Sequence, residues 1–544
     1  MTYKQSFFSN SLVLLIFMLQ YSCANRVAPA GGEKDAEAPK VQEQTPSNRT
    51  VNFSDDGFVL RFDEFVQLQD PNTQVLISPL MLKRPEFKLK GKKLIVKFQE
   101  PLKENTTYTF NFGESIKDIT ESNAMTNFEY AFSTGKYLDS LSIKGRVVDA
   151  QFRDAQKDVL IAAYPFGIDS LFTTTPPSFI TRTDEDGKFQ LNNLPANNYQ
   201  LIGLIDKNNN YFYDQPNEDI AFFPYEISLN DSSLQKYELQ LFNEGFDTPK
   251  MTDKRNREYG HLEMFFSKEQ DSITIVNIND SLATADFRVE KTNGNDTLHI
   301  WYRNITEFSP LSFVLKNDSS ILDTIKFKKT IKESTLNAVK FTSNIRTGRG
   351  QNAKMDLKRA AWIQFNHPIE VFNKDKIVFM EDSVNLNLDD YLRFDDYITR
   401  KLIIDYDWKP ETDYVLVLPD STIIDFYGEY NDEIAINLTT YEKRKYGTLI
   451  LNLTGFDDTK NYVLQLYDGK KKLKKSYKMA SKNILLDYLD ATKYKIMVLE
   501  DDNDNGQWDA GNYGEKKQSE RTHTMEKMID VKANWDTEVE LSVN

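Results

Sequence analysis

The sequence predicts an all-β chain built from tandem β-sandwich domains. Short stretches of alternating apolar and polar residues run through most of it; GFVLRF, for example, places Phe58, Leu60 and Phe62 on one face. Asn, Asp, Gly and Pro interrupt these stretches at short intervals, as in sandwich folds, and helical periodicity is scarce. Because 544 residues exceed what one core holds, roughly three to five domains are expected.

Charge and rare residue types argue against several function classes. The net charge of -15 argues against binding nucleic acid, or anionic lipid through a basic surface. Cys23 is the single cysteine, so no internal disulfide can form. The four histidines, His261, His299, His367 and His523, lie far apart in sequence. Their spacing predicts neither a zinc site nor a Cys/His nucleophile pair.

Residues 1–22 predict a secretory signal peptide. Lys4 supplies a positive charge, and the apolar run over residues 12–19 is too short to span a membrane. The run ends near Cys23, and the segment resembles a lax lipoprotein signal of the Bacteroidetes type, which implies lipidation of Cys23. A plain signal peptide with a chance cysteine is the alternative. Residues 23–40 are mostly small and polar and contain Pro and Gly, which predicts a flexible tether.

Residues 41–135 form the first predicted domain. Its landmarks are LRFDEFVQL, PLKENTTYTFNF, SIKDITESNAM and FEYAFSTG. The domain resembles the bacterial Ig-like domain of surface-layer proteins, and with CANRVAPAGGEKD it looks like the Ig-like-domain lipoproteins of Bacteroidetes. The resemblance is carried by Asp63-Glu64, Thr106-Thr107-Tyr108, Asp118 and Phe132-Ser133-Thr134-Gly135. It implies a non-enzymatic protein of the outer membrane.

Residues 136–245 resemble a prealbumin-like β-sandwich, and residues 443–544 repeat it. The spacing of Phe189, Leu191, Leu194, Tyr199 and Asp206 recurs in full in Ile484, Leu486, Leu489, Tyr494 and Asp501. Residues 336–442 predict a second Ig-like domain, in which AAWIQFNHPI stands where FVLRFDEFV stood and IIDFYGEYND echoes IKDITESN. Residues 246–335 predict a further, middle β-sandwich. We expect an extended or curved array of these domains.

Two loops of the repeat carry candidate metal ligands. LIDKNNNYFYD and LEDDNDNGQWD both contain D-x-N-x-N-x-x-x-D, which offers oxygen atoms at alternate positions as calcium loops do. The candidate ligands are Asp206, Asn208, Asn210 and Asp214 in the first loop, and Asp501, Asn503, Asn505 and Asp509 in the second. The twelfth position holds Asn217 or Asn512, so Glu218 or Glu515 would have to supply the missing carboxylate. The alternative is an Asx-rich loop that satisfies its own backbone.

The sequence contains none of the common catalytic motifs, so no enzymatic activity is expected. Asp63 and Glu64 are paired carboxylates, but we expect them on one strand, where neighbours point to opposite faces. The five tryptophans are expected mainly in domain cores; exposed ones could stack on sugar rings.

The predicted function is therefore non-enzymatic. We expect a lipid-anchored outer-membrane protein that contacts other outer-membrane proteins, as an accessory subunit of an assembly or export complex. A cell-surface lipoprotein that binds glycans or nutrients is the alternative. The acidic residues Glu33, Asp35 and Glu37 soon after the cysteine favour the cell surface over the periplasmic face.

Overall fold

The fold consists of several sheets built from short strands. The computed structural model describes residues 35–126, 128–167, 171–229, 236–245, 251–267, 273–277, 286–292, 296–304, 311–317, 320–327, 338–348 and 351–543. The chain divides into two units, residues 1–141 with 192–195 and residues 142–191 with 196–544. The prediction of an all-β chain of tandem β-sandwiches is confirmed. Among the described residues, no helix is long and apolar enough to cross a membrane.

The first unit packs small sheets around an aromatic core. Phe58, Leu60 and Phe62 are buried together, as their alternation predicts. The sheets have the orders β1-β2-β6-β5, β4-β7-β9 and β3-β8. The elements are β1 (Val41–Thr45), β2 (Gly57–Phe62), β3 (Val66–Leu68), α1 (Pro71–Gln74), β4 (Leu76–Ser78), β5 (Glu86–Lys90), β6 (Lys93–Lys97), β7 (Thr107–Asn111), β8 (Ile116–Asp118) and β9 (Glu129–Ser133).

The next segment is a sandwich whose first and last strands, β10 and β17, pair in parallel. The strand order is β12-β11-β14-β15-β17-β10-β13, and β16 pairs with β14. The elements are β10 (Leu141–Asp149), β11 (Leu160–Pro165), α2 (Leu171–Thr174), β12 (Phe179–Arg182), β13 (Lys188–Leu194), β14 (Asn197–Ile205), β15 (Asp219–Phe222), β16 (Ile227–Leu229) and β17 (Lys236–Asn243).

The middle segment contains two sheets, ordered β18-β19-β22-β21 and β20-β23-β24. Leu298, Ile300 and Tyr302 face its core, whereas His299 and Trp301 occupy the opposite face of β22 because side chains alternate along a strand. The elements are β18 (Met251–Glu258), β19 (His261–Phe266), β20 (Ile273–Asn277), β21 (Asp286–Lys291), β22 (Thr297–Arg303), β23 (Leu311–Asn317) and β24 (Ser320–Phe327).

Residues 338–442 repeat the plan of the first unit around a core that includes Ile363, Phe365 and Tyr414. Sheets run β25-β28-β33-β32, β26-β27-β36-β34-β30-β31 and β29-β35. The strands are β25 (Phe341–Ser343), β26 (Arg346–Gly348), β27 (Gln351–Met355), β28 (Ala361–Phe365), β29 (Ile369–Phe372), β30 (Val378–Glu381), β31 (Val384–Leu386), β32 (Leu392–Phe394), β33 (Lys401–Ile404), β34 (Asp413–Leu418), β35 (Ile423–Asp425) and β36 (Ile434–Thr440), with 3-10 turns at Lys374–Lys376 and Lys443–Lys445.

The last segment repeats the parallel pairing of first and last strands, here β37 with β44. Its sheets are β40-β37-β44 and β39-β38-β41-β42, with β43 on β41. The strands are β37 (Tyr446–Thr454), β38 (Tyr462–Tyr467), β39 (Leu473–Met479), β40 (Asn483–Asp490), β41 (Lys493–Glu500), β42 (Thr522–Thr524), β43 (Ile529–Asp530) and β44 (Asp536–Ser542). This duplication places the two candidate calcium loops after equivalent strands, β14 and β41.

Candidate functional site

The loop after β14, the first Asx loop (residues 206–218), is closed by its own polar side chains. Asp206 accepts the backbone N–H groups of Asn210 at 3.3 Å and of Tyr211 at 2.8 Å. The amide groups of Asn208 and Asn210 donate to the carboxylate of Asp214 at 3.0 and 2.7 Å. The four predicted ligands therefore form one connected network.

The second Asx loop (residues 501–520) repeats this network. Asp501 accepts the N–H groups of Asn505 at 3.1 Å and of Gly506 at 2.8 Å. Asn503 and Asn505 donate to Asp509 at 2.6 and 3.0 Å. The two networks match bond for bond, which ties the loops to a common local conformation.

A buried glutamate closes each Asx loop. Glu218, which is fully buried, accepts the N–H groups of Lys207 at 3.1 Å and of Asp214 at 3.0 Å. In the second loop, Glu520 takes the corresponding N–H groups, at 2.9 Å each. Burial raises the pKa of Glu520. The extra carboxylate of the second loop is therefore Glu520 and not Glu515, because the loop between Asp509 and β42 is longer than its counterpart.

An Asx-rich turn that holds no metal ion forms the same hydrogen bonds, from backbone N–H groups to side-chain oxygens of its own loop. Within the described part of the chain, His261, Glu263 and His299 form the one set of three potential ligands whose atoms lie within 4.8 Å of one another. The carboxylates of the Asx loops form no such set. Calcium binding by either loop stays a prediction.

The two Asx loops belong to sandwiches that contact each other within the second unit. Glu244 accepts a hydrogen bond from the Tyr213 hydroxyl at 2.9 Å and another from the Tyr513 backbone N–H. The Tyr513 ring packs against Phe172 and Phe222 at centroid distances of 6.1 and 5.4 Å. The two sandwiches are nearly 300 residues apart in sequence, and periodicity gave no signal for this contact.

A second group of residues lies where residues 338–442 meet the middle segment. Phe426, which is fully buried, lies under the guanidinium groups of Arg288 and Arg303, 5.0 and 4.3 Å from its ring centroid. Arg288 also donates to the Ile369 carbonyl at 3.0 Å. We call His367, Pro368, Arg400 and Phe426 the occupied edge, since the middle segment covers it.

The first unit carries the same edge. The Lys40 N–H donates to Asp63 at 2.8 Å, as the Lys340 N–H donates to Asn366 at 2.7 Å. The N–H groups of Phe62 and Phe365 donate to the carbonyls of Lys92 and Arg400, at 2.9 Å each. Pairing of β3 with β8 matches that of β29 with β35. In this register Glu64, Phe65, Lys92 and Ile119 correspond, in that order, to His367, Pro368, Arg400 and Phe426 of the occupied edge.

In the first unit the apolar side chains of this group are open to solvent. Phe65 and Ile119 are 56% and 57% exposed, whereas Phe426, the counterpart of Ile119, is 0% exposed. Burial, with the nearby Asp118 carboxylate, raises the pKa of Glu64. We call Glu64, Phe65, Lys92 and Ile119 the open edge.

Strand pairing brings three of the four histidines to one region. His261 and His299 share a hydrogen bond of 2.9 Å, and Trp301 lies between them and His367, 6.2 Å from the His367 ring. Sequence spacing gave no sign of this grouping, because antiparallel pairing joins residues that lie far apart in the chain. The alternation of His299 with Leu298 and Ile300 was the signal that could have located it.

The remaining predicted residues are placed as follows. Cys23 lies outside the described residues. Asp63 and Glu64 follow the end of β2 and stand in a bend, so the expectation that both lie on a strand was wrong. Trp301 and Trp408 are buried, Trp362 and Trp508 are half-buried, and Trp535 is 68% exposed. Glycan stacking on tryptophan would therefore depend mainly on Trp535.

Comparison with known proteins identifies one domain. Residues 35–134 match the family described as bacterial Ig-like domain. The chain contains an Ig-like domain. Comparison with curated proteins finds no match.

Solved structures give distant similarities. They include BcpA, the major pilin subunit of Bacillus cereus (9% identity, 74% of this chain and 99% of that chain, TM-score 0.15). Another is the Bacillus anthracis TIE protein (9% identity, 94% of this chain and 76% of that chain, TM-score 0.14). A third is surface layer protein SbsC, domains 1-6 (9% identity, 92% of this chain and 67% of that chain, TM-score 0.14).

Proposed function

We propose that this chain is a lipid-anchored outer-membrane protein that works through protein contacts, as an accessory subunit of a protein assembly or export complex. The observation that carries the proposal is the pair of corresponding edges. One edge is occupied by a neighbouring sandwich of the same chain, and the other, on the first Ig-like domain, is open.

The occupied edge indicates what the open edge would bind. Phe426 is held by two arginines and by burial of its apolar ring, a combination in which cation–π attraction adds to the hydrophobic effect. On the open edge Ile119 stands at the position of Phe426, and the aromatic ring is Phe65, one residue before the paired strand on the other side. Its Glu64 carboxylate adds an acceptor for a cationic side chain. We infer a partner β-sandwich that presents arginine beside apolar side chains.

The test is recovery of partners from detergent-solubilised membranes. Wild-type protein should bring down a defined outer-membrane partner, and Ile119→Asp should lose it because a carboxylate in this patch resists desolvation. Leu82→Asp is the matched control, since Leu82 is 89% exposed in the same unit but outside the open edge. Recovery of the chain alone, or equal recovery with both variants, would count against the proposal.

The anchor and the membrane face belong to the same proposal. Cys23→Ser should move the protein out of the membrane fraction, because a lipid chain on that cysteine is the proposed attachment. Protease added to intact cells should cleave the wild-type protein if it faces outward, as proposed. Membrane retention of Cys23→Ser would contradict lipid anchoring, and protection from protease would place the protein on the periplasmic face.

A further inference from the structure

Three side chains that can bind transition metals meet on one face of the middle segment. Strands β19 and β22 are antiparallel, with Glu263 opposite His299 and His261 opposite Trp301. Because alternate residues share a face, His261, Glu263 and His299 project to the same side of the sheet. We call these three residues the histidine cluster.

The distances suit a small cation. His261 Nε2 lies 2.9 Å from His299 Nδ1, which lies 3.6 Å from Glu263 Oε1. Zinc ligands at about 2.0–2.2 Å from a tetrahedral ion stand roughly 3.3–3.5 Å apart. Adjustments of a few tenths of an ångström would let the three atoms surround one ion.

The three side chains of the cluster are buried. His261, Glu263 and His299 are 7%, 8% and 8% exposed. The hydrogen bond between the two imidazoles uses the N–H of one ring and the lone pair of the other. A bound ion would replace this hydrogen bond, with one nitrogen of each ring turned toward the metal.

The surroundings balance the charge of the cluster and orient its carboxylate. Arg257 binds Glu263 Oε2, which leaves Oε1 facing His299. Arg400 is paired with the buried Glu290 at 2.8 Å, so its positive charge is neutralised locally. Partners of this kind fix the orientation of ligating side chains in metal sites.

Trp301 adds an independent observation. Its ring stacks on His261 at a centroid distance of 3.7 Å and an interplanar angle of 9°. Trp301 is 1% exposed, and its Nε1 has no hydrogen-bond partner. A buried donor without an acceptor is costly, and the ring that carries this donor lies directly against His261.

We propose that His261, Glu263 and His299 form a binding site for a divalent first-row transition-metal ion of the Zn²⁺ class. Two imidazole nitrogens and one carboxylate favour such an ion over Ca²⁺ or Mg²⁺, which take oxygen ligands. The site lies where the middle segment packs on the occupied edge, with Arg400 5.5 Å from the Trp301 ring centroid. Bound metal would rigidify this contact.

Titration with Co²⁺ tests the proposal. The full-length protein, purified without a histidine tag, is titrated in excess Ca²⁺, which competes for oxygen-only loops. One Co²⁺ per chain should bind with the visible absorption bands of tetrahedral coordination, and Zn²⁺ should displace it and raise the melting temperature. Absence of stoichiometric binding of either ion by the wild-type protein would overturn the proposal.

Variants locate the ion. His299→Ala should weaken Co²⁺ binding at least about tenfold, and Glu263→Gln, which keeps the side-chain volume, should weaken it and change the spectrum. His523→Gln is the matched control, because His523 is equally buried beside a carboxylate, 2.8 Å from Glu500, but lies outside the cluster. Unchanged binding by Glu263→Gln and His299→Ala, or loss in His523→Gln alone, would overturn the assignment.

Discussion

At the residue scale, the two Asx loops differ at one position of unusual backbone conformation. Tyr211 and Gly506 occupy the same place and both have positive φ, 68° and 77°. Glycine adopts this conformation without steric cost, whereas an L side chain is strained there. The backbone conformation of Tyr211 is imposed by the hydrogen bonds of the loop, among them the bond from its own N–H to Asp206.

Gly506→Ala should destabilise the last sandwich by about 1 kcal/mol. A Cβ at this position meets nothing within 4 Å, so the cost arises from backbone conformation alone. Gly469→Ala is the control, since φ is not positive there and an added Cβ makes only ordinary contact with Met528. Thermal unfolding measures both; equal stability of the two variants would contradict the strain.

His523 should make stability depend on pH. Burial lowers its pKa, against the opposing influence of Glu500, so the folded state keeps the ring neutral where the unfolded chain, with a pKa near 6.5, takes up a proton. Stability is therefore lost as pH falls below about 6.5, by at most about 1.4 kcal/mol per pH unit for this group. Denaturant unfolding at pH 7.5 and 5.5 should show a smaller loss in His523→Gln than in wild type, and equal losses would refute it.

At the element scale, much of the architecture could be predicted and the clustering of side chains could not. Alternation gave the buried face of β2, and fixed spacing gave the repeat that places Asp206 and Asp501 after equivalent strands. Glu520 was missed because the second Asx loop is longer. The search for a carboxylate close to the twelfth loop position finds Glu218 in the first loop but Glu515 in the second. The histidine cluster was missed because pairing register between distant strands is set by tertiary packing.

Calcium binding by the Asx loops has a direct test. If the loops bind, calorimetry should detect weak calcium binding and a rise in melting temperature, because each loop offers few carboxylates. Glu218→Gln should remove the contribution of the first loop and Glu520→Gln that of the second. Glu515→Gln is the control, since Glu515 lies outside the network. Absence of binding heat and of a thermal shift in the wild-type protein would rule calcium out.

At the scale of the whole molecule, the two repeated sandwiches of the second unit contact each other, and the sequence of neither sandwich alone indicates this contact. Tyr513 is 8% exposed and packs on aromatic residues of another sandwich. Nothing local in the sequence indicates this, since Tyr513 follows a polar loop. The echo of FVLRFDEFV in AAWIQFNHPI lies at the two edges, but nothing in it indicates that one edge is covered and the other open.

Tyr513→Ala should destabilise the contact between the two repeated sandwiches by about 3 kcal/mol, as for other buried aromatic side chains. Hydrogen exchange should then speed up on both sides of the contact, around Phe172 and Phe222 as well as around position 513. Tyr430→Ala is the control, because Tyr430 is 58% exposed. Faster exchange confined to the last sandwich would contradict coupling across the contact.

The central claim is that the open edge of the first Ig-like domain binds another protein. Photo-cross-linking in intact cells tests it most directly, with a light-activated amino acid placed at Phe65, at Ile119 and, as control, at Leu82. We expect one discrete cross-linked product, identifiable by mass spectrometry as a β-sandwich protein, from the first two positions and none from the third. Absence of a product at Phe65 and Ile119, or the same products at all three positions, would contradict it.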